Sequence, residues 1–241
     1  MSSALQIIIR ASGERTEGRC AKLARKQGKV HIIKAYPFGE SLRQTYALGM
    51  TFEQEWTPVI DADVLLFDGV LKKAIDELNA LKLKEKVVCL DGKTKDKILM
   101  VNRRAGIHIY RTELFEKCLK YIDDGNLKPE SNVRKRMHRI GYHTHVGNII
   151  FGEHDHEQYY KDLWRKAVCQ AHKVGDMIKK NNCVKKWKAM IKADPDYKVI
   201  LAAHDYGKTL KSVKIDARKD YGGSDGIKKL GLKEKKYMGD F

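Results

Sequence analysis

Two carboxylates two residues apart, Asp61 and Asp63, interrupt an otherwise apolar stretch running from Trp56 to Phe67. If residues 56–60 form a buried strand, both acids sit at its carboxyl end. Residues two apart on an extended segment point the same way. Paired carboxylates on one face repel unless a cation lies between them. Mg²⁺ or Mn²⁺, hard ions that take oxygen ligands and bridge to phosphates, suit such a pair. The triplet thus points to a metal–nucleotide site. The same triplet also marks turns and helix caps, so its neighbours must decide.

Other residues with chemical capacity lie in two groups. Ser12, Glu14 and Arg15 follow an apolar run from Leu5 to Ala11, with Gly13 among them. A later segment holds His138, His143, His145, His154 and His156, together with Glu153 and Asp155. His143 and His145 alternate, as do His154 and His156, so each pair shares a face on a strand. Clustered histidines can bind zinc, but the His-Glu-x-x-His spacing is absent, which argues against that metal. Asp155 or Glu153 can cap a helix beginning near residue 157.

The elements that must position these residues follow from periodicity. Strands are predicted at 5–11, 30–35, 56–60 and 86–90, from β-branched and apolar runs. Helices are predicted at 16–27, closed by Gly28, at 41–53, with Leu42, Tyr46 and Met50 at four-residue steps, and at 67–81, with Leu71, Ile75, Leu78 and Leu81 on one face. Strand–helix alternation argues for a mostly parallel sheet covered on both faces, with the ligand crevice beyond the strands' carboxyl ends. Residues 12–15 and 61–63 both fall there. Further on, short antiparallel strands are expected at 98–101 and 107–110, a helix from Thr112 to about Asp123, a loop at 126–131, a long helix at 157–180, and a flexible end over the last 20 residues.

The 241 residues suit one large domain or a domain with an appendage. No apolar run approaches the roughly 18 residues of a membrane span, and the first residues lack the features of a signal peptide. Five scattered cysteines without a Cys-x-x-Cys pair read as reduced thiols, pointing to a cytoplasmic setting. Of the net +17, a surplus of 11 falls in residues 161–241, where 21 Lys and Arg face 10 Asp and Glu. Such a region attracts nucleic acid, an anionic membrane surface or a phosphorylated acceptor, or else forms a solvated helical surface.

Taken in order, these features resemble a GT-A type glycosyltransferase, close in style to family 2. The resemblance rests on residues 5–16, on the helix with Leu42, Arg43, Gln44 and Tyr46, on residues 55–63, on Ala105 to Arg111, and on Gly152 to Asp155. It implies a Rossmann-like mixed α/β sheet flanked by helices. A catalytic domain would span 1–165, with a donor half at 1–100 and an acceptor half at 101–165. A helical, Lys-rich C-terminal extension would span 166–241. Implied too is a metal-dependent, hexosyltransferase-like enzyme that moves a sugar from a nucleotide-diphosphate sugar to an acceptor hydroxyl, as in bacterial surface polysaccharide synthesis.

Residue by residue, Asp63 would bind Mn²⁺ or Mg²⁺, with Asp61 on the metal or the ribose. Ser12, Glu14, Arg15, Arg43 and Ala62 would join both acids around the nucleotide sugar. His145 and His154 are the candidates for a later metal ligand. Asp155, then Glu153, is the candidate base. The partners implied are a nucleotide-sugar donor and a glycan or lipid-linked acceptor, with the basic region facing the inner membrane surface. One departure concerns the second strand, which ends without the acid that reads uracil in family 2, so the donor base stays open. A nucleotidyltransferase is the rival of related fold, disfavoured by the single Gly at 12–15. A nucleic-acid-binding protein is the rival by charge, disfavoured by a Lys-rich tail with few aromatics.

Overall fold

Ile7, Ile8 and Ile9 are fully buried, alternate between two faces of a sheet, and so fix the centre of the molecule. They lie on β1 (Gln6–Ala11) in a computed structural model describing residues 4–126, 128–214 and 216–238. Residues 1–3, Leu127, Ile215 and 239–241 lie outside the described residues. With them go the first residues of the N-terminal stretch, one residue of the 126–131 loop and the end of the tail.

The chain continues through α1 (Glu17–Arg25), β2 (Lys29–Lys34), α2 (Phe38–Gly49), β3 (Trp56–Asp61), β4 (Val64–Leu66) and α3 (Val70–Asn79). A long hairpin follows, β5 (Val87–Asp96) and β6 (Val101–Arg111), then α4 (Phe115–Leu119), α5 (Pro129–Arg139), β7 (His143–His145) and β8 (Ile150–His154). The helices α6 (Tyr160–Lys173), α7 (Gly175–Lys180), α8 (Cys183–Met190), α9 (Asp196–Thr209) and α10 (Gly223–Lys229) complete it. The strands form one mixed sheet in the order β2-β1-β3-β6-β5-β8-β4, with β7 also on β5. β1 runs parallel to β2 and β3, and β5 parallel to β7 and β8. The pairs β3–β6, β5–β6 and β4–β8 are antiparallel. The sheet is therefore mixed rather than mostly parallel.

Alternation along the strands builds two cores. Ile7 and Ile9 pack with Ile60, Ile107 and Ile109 against Cys20 and Ala24 of α1 and Leu71, Ala74 and Leu78 of α3. Ile8, Val59 and Tyr110 face the other way, against Leu42 and Tyr46 of α2, Phe115 of α4 and Val133 and Met137 of α5. Each such side chain contributes about 1.5–3 kcal/mol on leaving water. Gly49 lets α2 approach α4, because a Cβ there would lie 2.2 Å from the Phe115 ring.

A third core is made by the C-terminal helices. Leu163, Trp164, Val168, Trp187, Val199 and Ile200 close around Ile98 and Leu99. Residues 98–100 are therefore the tip of the β5–β6 hairpin rather than a strand. The tip is held by the Trp187 indole N–H donating to the Ile98 carbonyl at 2.7 Å. The helix expected over 157–180 breaks at Val174, whose φ of −143° leaves the helical region. The helix from Thr112 ends at Leu119, and the 126–131 segment turns into α5 at Pro129. The described part of the tail folds back. Glu234 accepts the backbone N–H groups of Tyr160 and Lys161, capping the start of α6, and the Lys235 ammonium reaches Asp196 at 2.5 Å. All five cysteines are free and buried. No helix among the described residues is long and apolar enough to cross a membrane.

Candidate functional site

β3 ends at Asp61, and Ala62–Asp63 is a turn leading into β4. The strict alternation expected to aim both acids one way therefore stops after Asp61. Asp61 lies in register with Arg10 on β1, and the Arg10 guanidinium takes it at 2.7 Å. Asp63 is turned instead towards the end of β8, where the Asp155 N–H donates to the Asp63 carbonyl at 3.2 Å. The Thr16 hydroxyl donates to the Ala62 carbonyl at 2.8 Å and accepts from the Gln158 amide at 2.8 Å, pinning the turn to the start of α1. Ala62 itself is fully buried.

Asp63, His154 and Asp155 form a buried group whose ligand atoms lie within 4.8 Å of one another. The His154 Nε2 is 3.5 Å from one Asp63 oxygen, and its Nδ1 meets Asp96 at 2.9 Å and Asp155 at 3.3 Å. The Lys166 ammonium, from α6, bonds to Asp63 and reaches Asp155 at 2.5 Å. Even so, Asp63 Oδ1 and Asp155 Oδ2 stay buried without a hydrogen-bond partner. Two carboxylate oxygens and an imidazole nitrogen suit Mn²⁺ or Mg²⁺. Asp155 adopts φ +63°, and Gly106, at φ +72°, packs so close that a Cβ would lie 2.9 Å from the His154 ring. Backbone strain of this kind, held by surrounding structure, gathers at ligand sites.

The electrostatics follow the pairing. Burial pushes His154 down, but Asp155, Asp63 and Asp96 raise it to about 9. Burial pushes Asp155 up, but His154 and Lys166 carry it below the usual carboxylate range. Glu14 is raised by burial and by Asp63, although its carboxylate accepts the Ser12 N–H at 2.6 Å and the Ser12 hydroxyl.

A second buried network supports Asp61. Arg10 bonds to Glu130 on α5 at 3.0 and 3.2 Å, and Glu130 also accepts the Tyr110 hydroxyl at 2.8 Å. His108 lies 3.2 Å from Glu130 and 2.8 Å from Asp91. Burial alone would raise Glu130, but Arg10 and His108 hold it well below the usual range.

Both networks open on one cavity of about 660 Å³ beyond the carboxyl ends of β1 and β3. Ser12, Glu14, Tyr36, Phe38, Asp61, Asp63 and His154 line it, together with Arg165, Gln170 and Lys173 of α6. Of the residues expected here, Arg15 faces Glu157 and the Lys236 carbonyl instead, and Arg43 sits on the surface with Asp124. Neither lines the cavity. His145 is likewise elsewhere: β7 pairs along the outer part of β5, and the ring meets Glu77 at 2.6 Å. Glu153 pairs in register with Leu65 and does not line the cavity, whereas Asp155, expected as a base, stands with Asp63 and His154 in the group that could hold a metal.

Sequence reasoning did not single out Arg10, Asp96, His108, Glu130 or Lys166. Two local signals were available: Pro129 as a helix start followed by Glu130, and the register that sets the ends of β1 and β3 side by side. Lys166 carries no local signal.

No family model matches the chain, and no curated protein matches it. Solved structures do resemble it. A mannosyltransferase of Pyrobaculum calidifontis, in complex with GDP-mannose and Mn²⁺, superposes with a TM-score of 0.50 over 96% of this chain and 76% of its own, at 11% identity. A glycosyltransferase involved in glycosylation of the major capsid of PBCV-1 gives 0.41 over 59% and 82%, at 11% identity. The apo glycosyltransferase GlyE of Streptococcus pneumoniae TIGR4 gives 0.38 over 58% and 44%, at 9% identity. The first likeness is one of fold: a mixed sheet flanked by helices, as in that glycosyltransferase.

Proposed function

We propose that the chain is a metal-dependent glycosyltransferase that moves a sugar from a nucleoside-diphosphate sugar to an acceptor hydroxyl. The observation that carries this reading is the group of Asp63, His154 and Asp155. Its two unpartnered carboxylate oxygens lie at the wall of a cavity that opens beyond the ends of β1 and β3. The fold shared with the Mn²⁺-bound mannosyltransferase supports it.

Asp63, Asp155 and His154, the last on giving up its Nε2 proton, would hold Mn²⁺ or Mg²⁺, which when bound would supply positive charge for the diphosphate. Asp155 acts here as a metal ligand rather than as the base. Ser12 and Glu14 line the nucleotide end of the cavity, and Tyr36 and Phe38 offer it aromatic faces. Asp61, held by Arg10 and partly exposed, lines the cavity and accepts donor hydroxyls. Lys166 competes with the metal for the same two carboxylates. The division into a catalytic domain at 1–165 and an extension at 166–241 is modified in this reading. Lys166 and Lys173 reach the cavity from beyond that boundary, so α6 belongs to the site.

The test is calorimetric titration of UDP, GDP, CMP, dTDP and ADP with and without Mn²⁺, on wild type and Asp63→Asn. Binding that requires Mn²⁺, selects one diphosphate and disappears in Asp63→Asn is expected. Metal-independent binding unchanged by Asp63→Asn would overturn the reading. A nucleotidyltransferase would instead bind a nucleoside triphosphate and release pyrophosphate from it.

A further inference from the structure

Some cations lining the cavity are paired with acids and others are not. Around the carboxyl ends of β1 and β3 every cation lining the cavity has an acid: Arg10 has Asp61 and Glu130, and Lys166 has Asp63 and Asp155. Arg103, further along, is held by Asp96 at 2.5 Å. The ammonium of Lys173, the last residue of α6, has no ion-pair or hydrogen-bond partner among the described residues, and neither does the ammonium of the exposed Lys128. Arg165, which also lines the cavity, pairs with Asp162 at 3.6 Å, yet its buried Nε donor has no partner.

The groups facing Lys173 make its position unusual. They are the Cys169 thiol one turn back on α6, Arg103 on β6, Lys128 just before α5, and the more distant Asp61 at the end of β3. Two of the four are cations. Burial and these cations lower Lys173 to about 8. Like charges gathered in a partly closed cavity disfavour the folded state until an anion joins them.

Helix geometry sets the distance from the metal-ligating group. Lys173 is seven residues beyond Lys166, two turns on and on the same face of α6, so their Cα atoms are about 10 Å apart. A diphosphate at Asp63 and Asp155 would lie beside the Lys166 ammonium, two turns before Lys173. Resting on the transferase reading above, we infer that Lys173, Lys128 and Arg165 form a second anion subsite, which takes a phosphate group on the acceptor. These three cations have one acid among them, Asp162 on Arg165, and the surplus favours a phosphate dianion over a single carboxylate. A water-soluble sugar phosphate and a phosphorylated lipid are two sources with this one chemistry at the subsite.

The experiment titrates inorganic phosphate, methyl phosphate, dodecyl phosphate and glucuronate, without metal, into wild type, Asp63→Asn, Lys173→Met and Lys173→Arg at pH 7 and pH 9. Each variant's folding is checked by thermal unfolding. Phosphate binding is expected to survive in Asp63→Asn and to fall at least tenfold in Lys173→Met. In wild type it is expected to weaken from pH 7 to pH 9, while Lys173→Arg, which stays charged, keeps its affinity. Tighter binding of dodecyl than methyl phosphate assigns a lipid-borne phosphate, and equal binding a soluble one. Phosphate binding lost in Asp63→Asn, or unchanged in Lys173→Met, would overturn the subsite. So would glucuronate binding tighter than phosphate. Failure of the transferase reading is seen separately, as Mn²⁺-independent nucleotide binding in the preceding titration.

Discussion

The backbone N–H of Asp155 donates to the backbone carbonyl of Asp63 at 3.2 Å. This bond ties the end of β8 to the β3–β4 turn and keeps two carboxylates side by side that lie 92 residues apart in the sequence. Proximity here is a property of the main chain, so it persists when the side chains are changed. Asp63→Asn and Asp155→Asn should therefore fold and yet lose Mn²⁺ binding. In wild type, Mn²⁺ at a hundredfold excess over Kd should stabilise the fold by about 2.7 kcal/mol, measured by urea unfolding. In either variant that gain should vanish. Asp155→Ala should be about 1 kcal/mol less stable than Asp155→Asn, because Asn tolerates a φ of +63° better. A full Mn²⁺ effect in Asp155→Asn would remove Asp155 from the ligand set.

Lys166 occupies the place of a cation between the same carboxylates. Without metal, Lys166→Met leaves two buried acids with only His154 beside them, and a loss of about 3 kcal/mol in stability is expected. With metal, the competitor is gone. Mn²⁺ should bind Lys166→Met more tightly than wild type by calorimetry, and Mn²⁺ should recover most of the lost stability. Weaker Mn²⁺ binding in this variant would mean that Lys166 supports the metal rather than opposing it.

Much of the sheet was legible because β-branched runs and glycine stops are local signals. β1, β2, β3 and the start of β5 fell within a residue or so of their observed limits. The alternation of Ile7, Ile8 and Ile9 shows why: each residue of that run is buried on one face or the other. The hairpin β5–β6 was harder, since Ile98 and Leu99 are as apolar as a strand but are buried by α8 and α9, over 80 residues later. The group that could hold a metal was half legible. Asp63 and His154 were expected as ligands and Asp155 as the base, and Asp61 and His145 were grouped with the ligands because alternation carries no information about a turn at 62–63 or about which strand β7 joins. Lys166 is one of 48 Lys and Arg residues, and nothing within its own helix distinguishes it.

The Arg10–Glu130 pair gives a prediction on stability and pH. Both side chains are buried, so Glu130→Leu leaves Arg10, Tyr110 and His108 without their shared acceptor. A loss of about 3–5 kcal/mol is expected in urea unfolding. His108 is pushed down by burial but raised overall by Glu130 and Asp91 above its usual 6.5. Its contribution is therefore complete below pH 6.5 and is lost as pH rises through the folded value. Glu130 and Asp91 are lowered, so theirs is complete above about 4.5 and is lost towards acid. The wild type's advantage over His108→Gln should be greatest between these limits and should shrink above pH 7. An advantage that grows with pH would contradict the charged His108.

Lys173 should show the opposite sign. Burial lowers it to about 8 from the 10.5 of an unfolded chain. Between those values the unfolded state binds more protons, so stability rises with pH across the window, and below pH 8 the full penalty is present. The shift corresponds to about 3 kcal/mol at 1.36 kcal/mol per pKa unit. Partial solvent access reduces this to roughly 1–2 kcal/mol. Lys173→Met should therefore be more stable than wild type by that amount at pH 7, with the difference closing towards pH 10.5, as read from urea unfolding at several pH values. A methionine that stabilises the fold while removing phosphate binding would show that this lysine is kept against stability for the ligand it receives. A Lys173→Met protein less stable than wild type at pH 7 would mean that the ammonium has a partner within the fold and is not held ready for an anion.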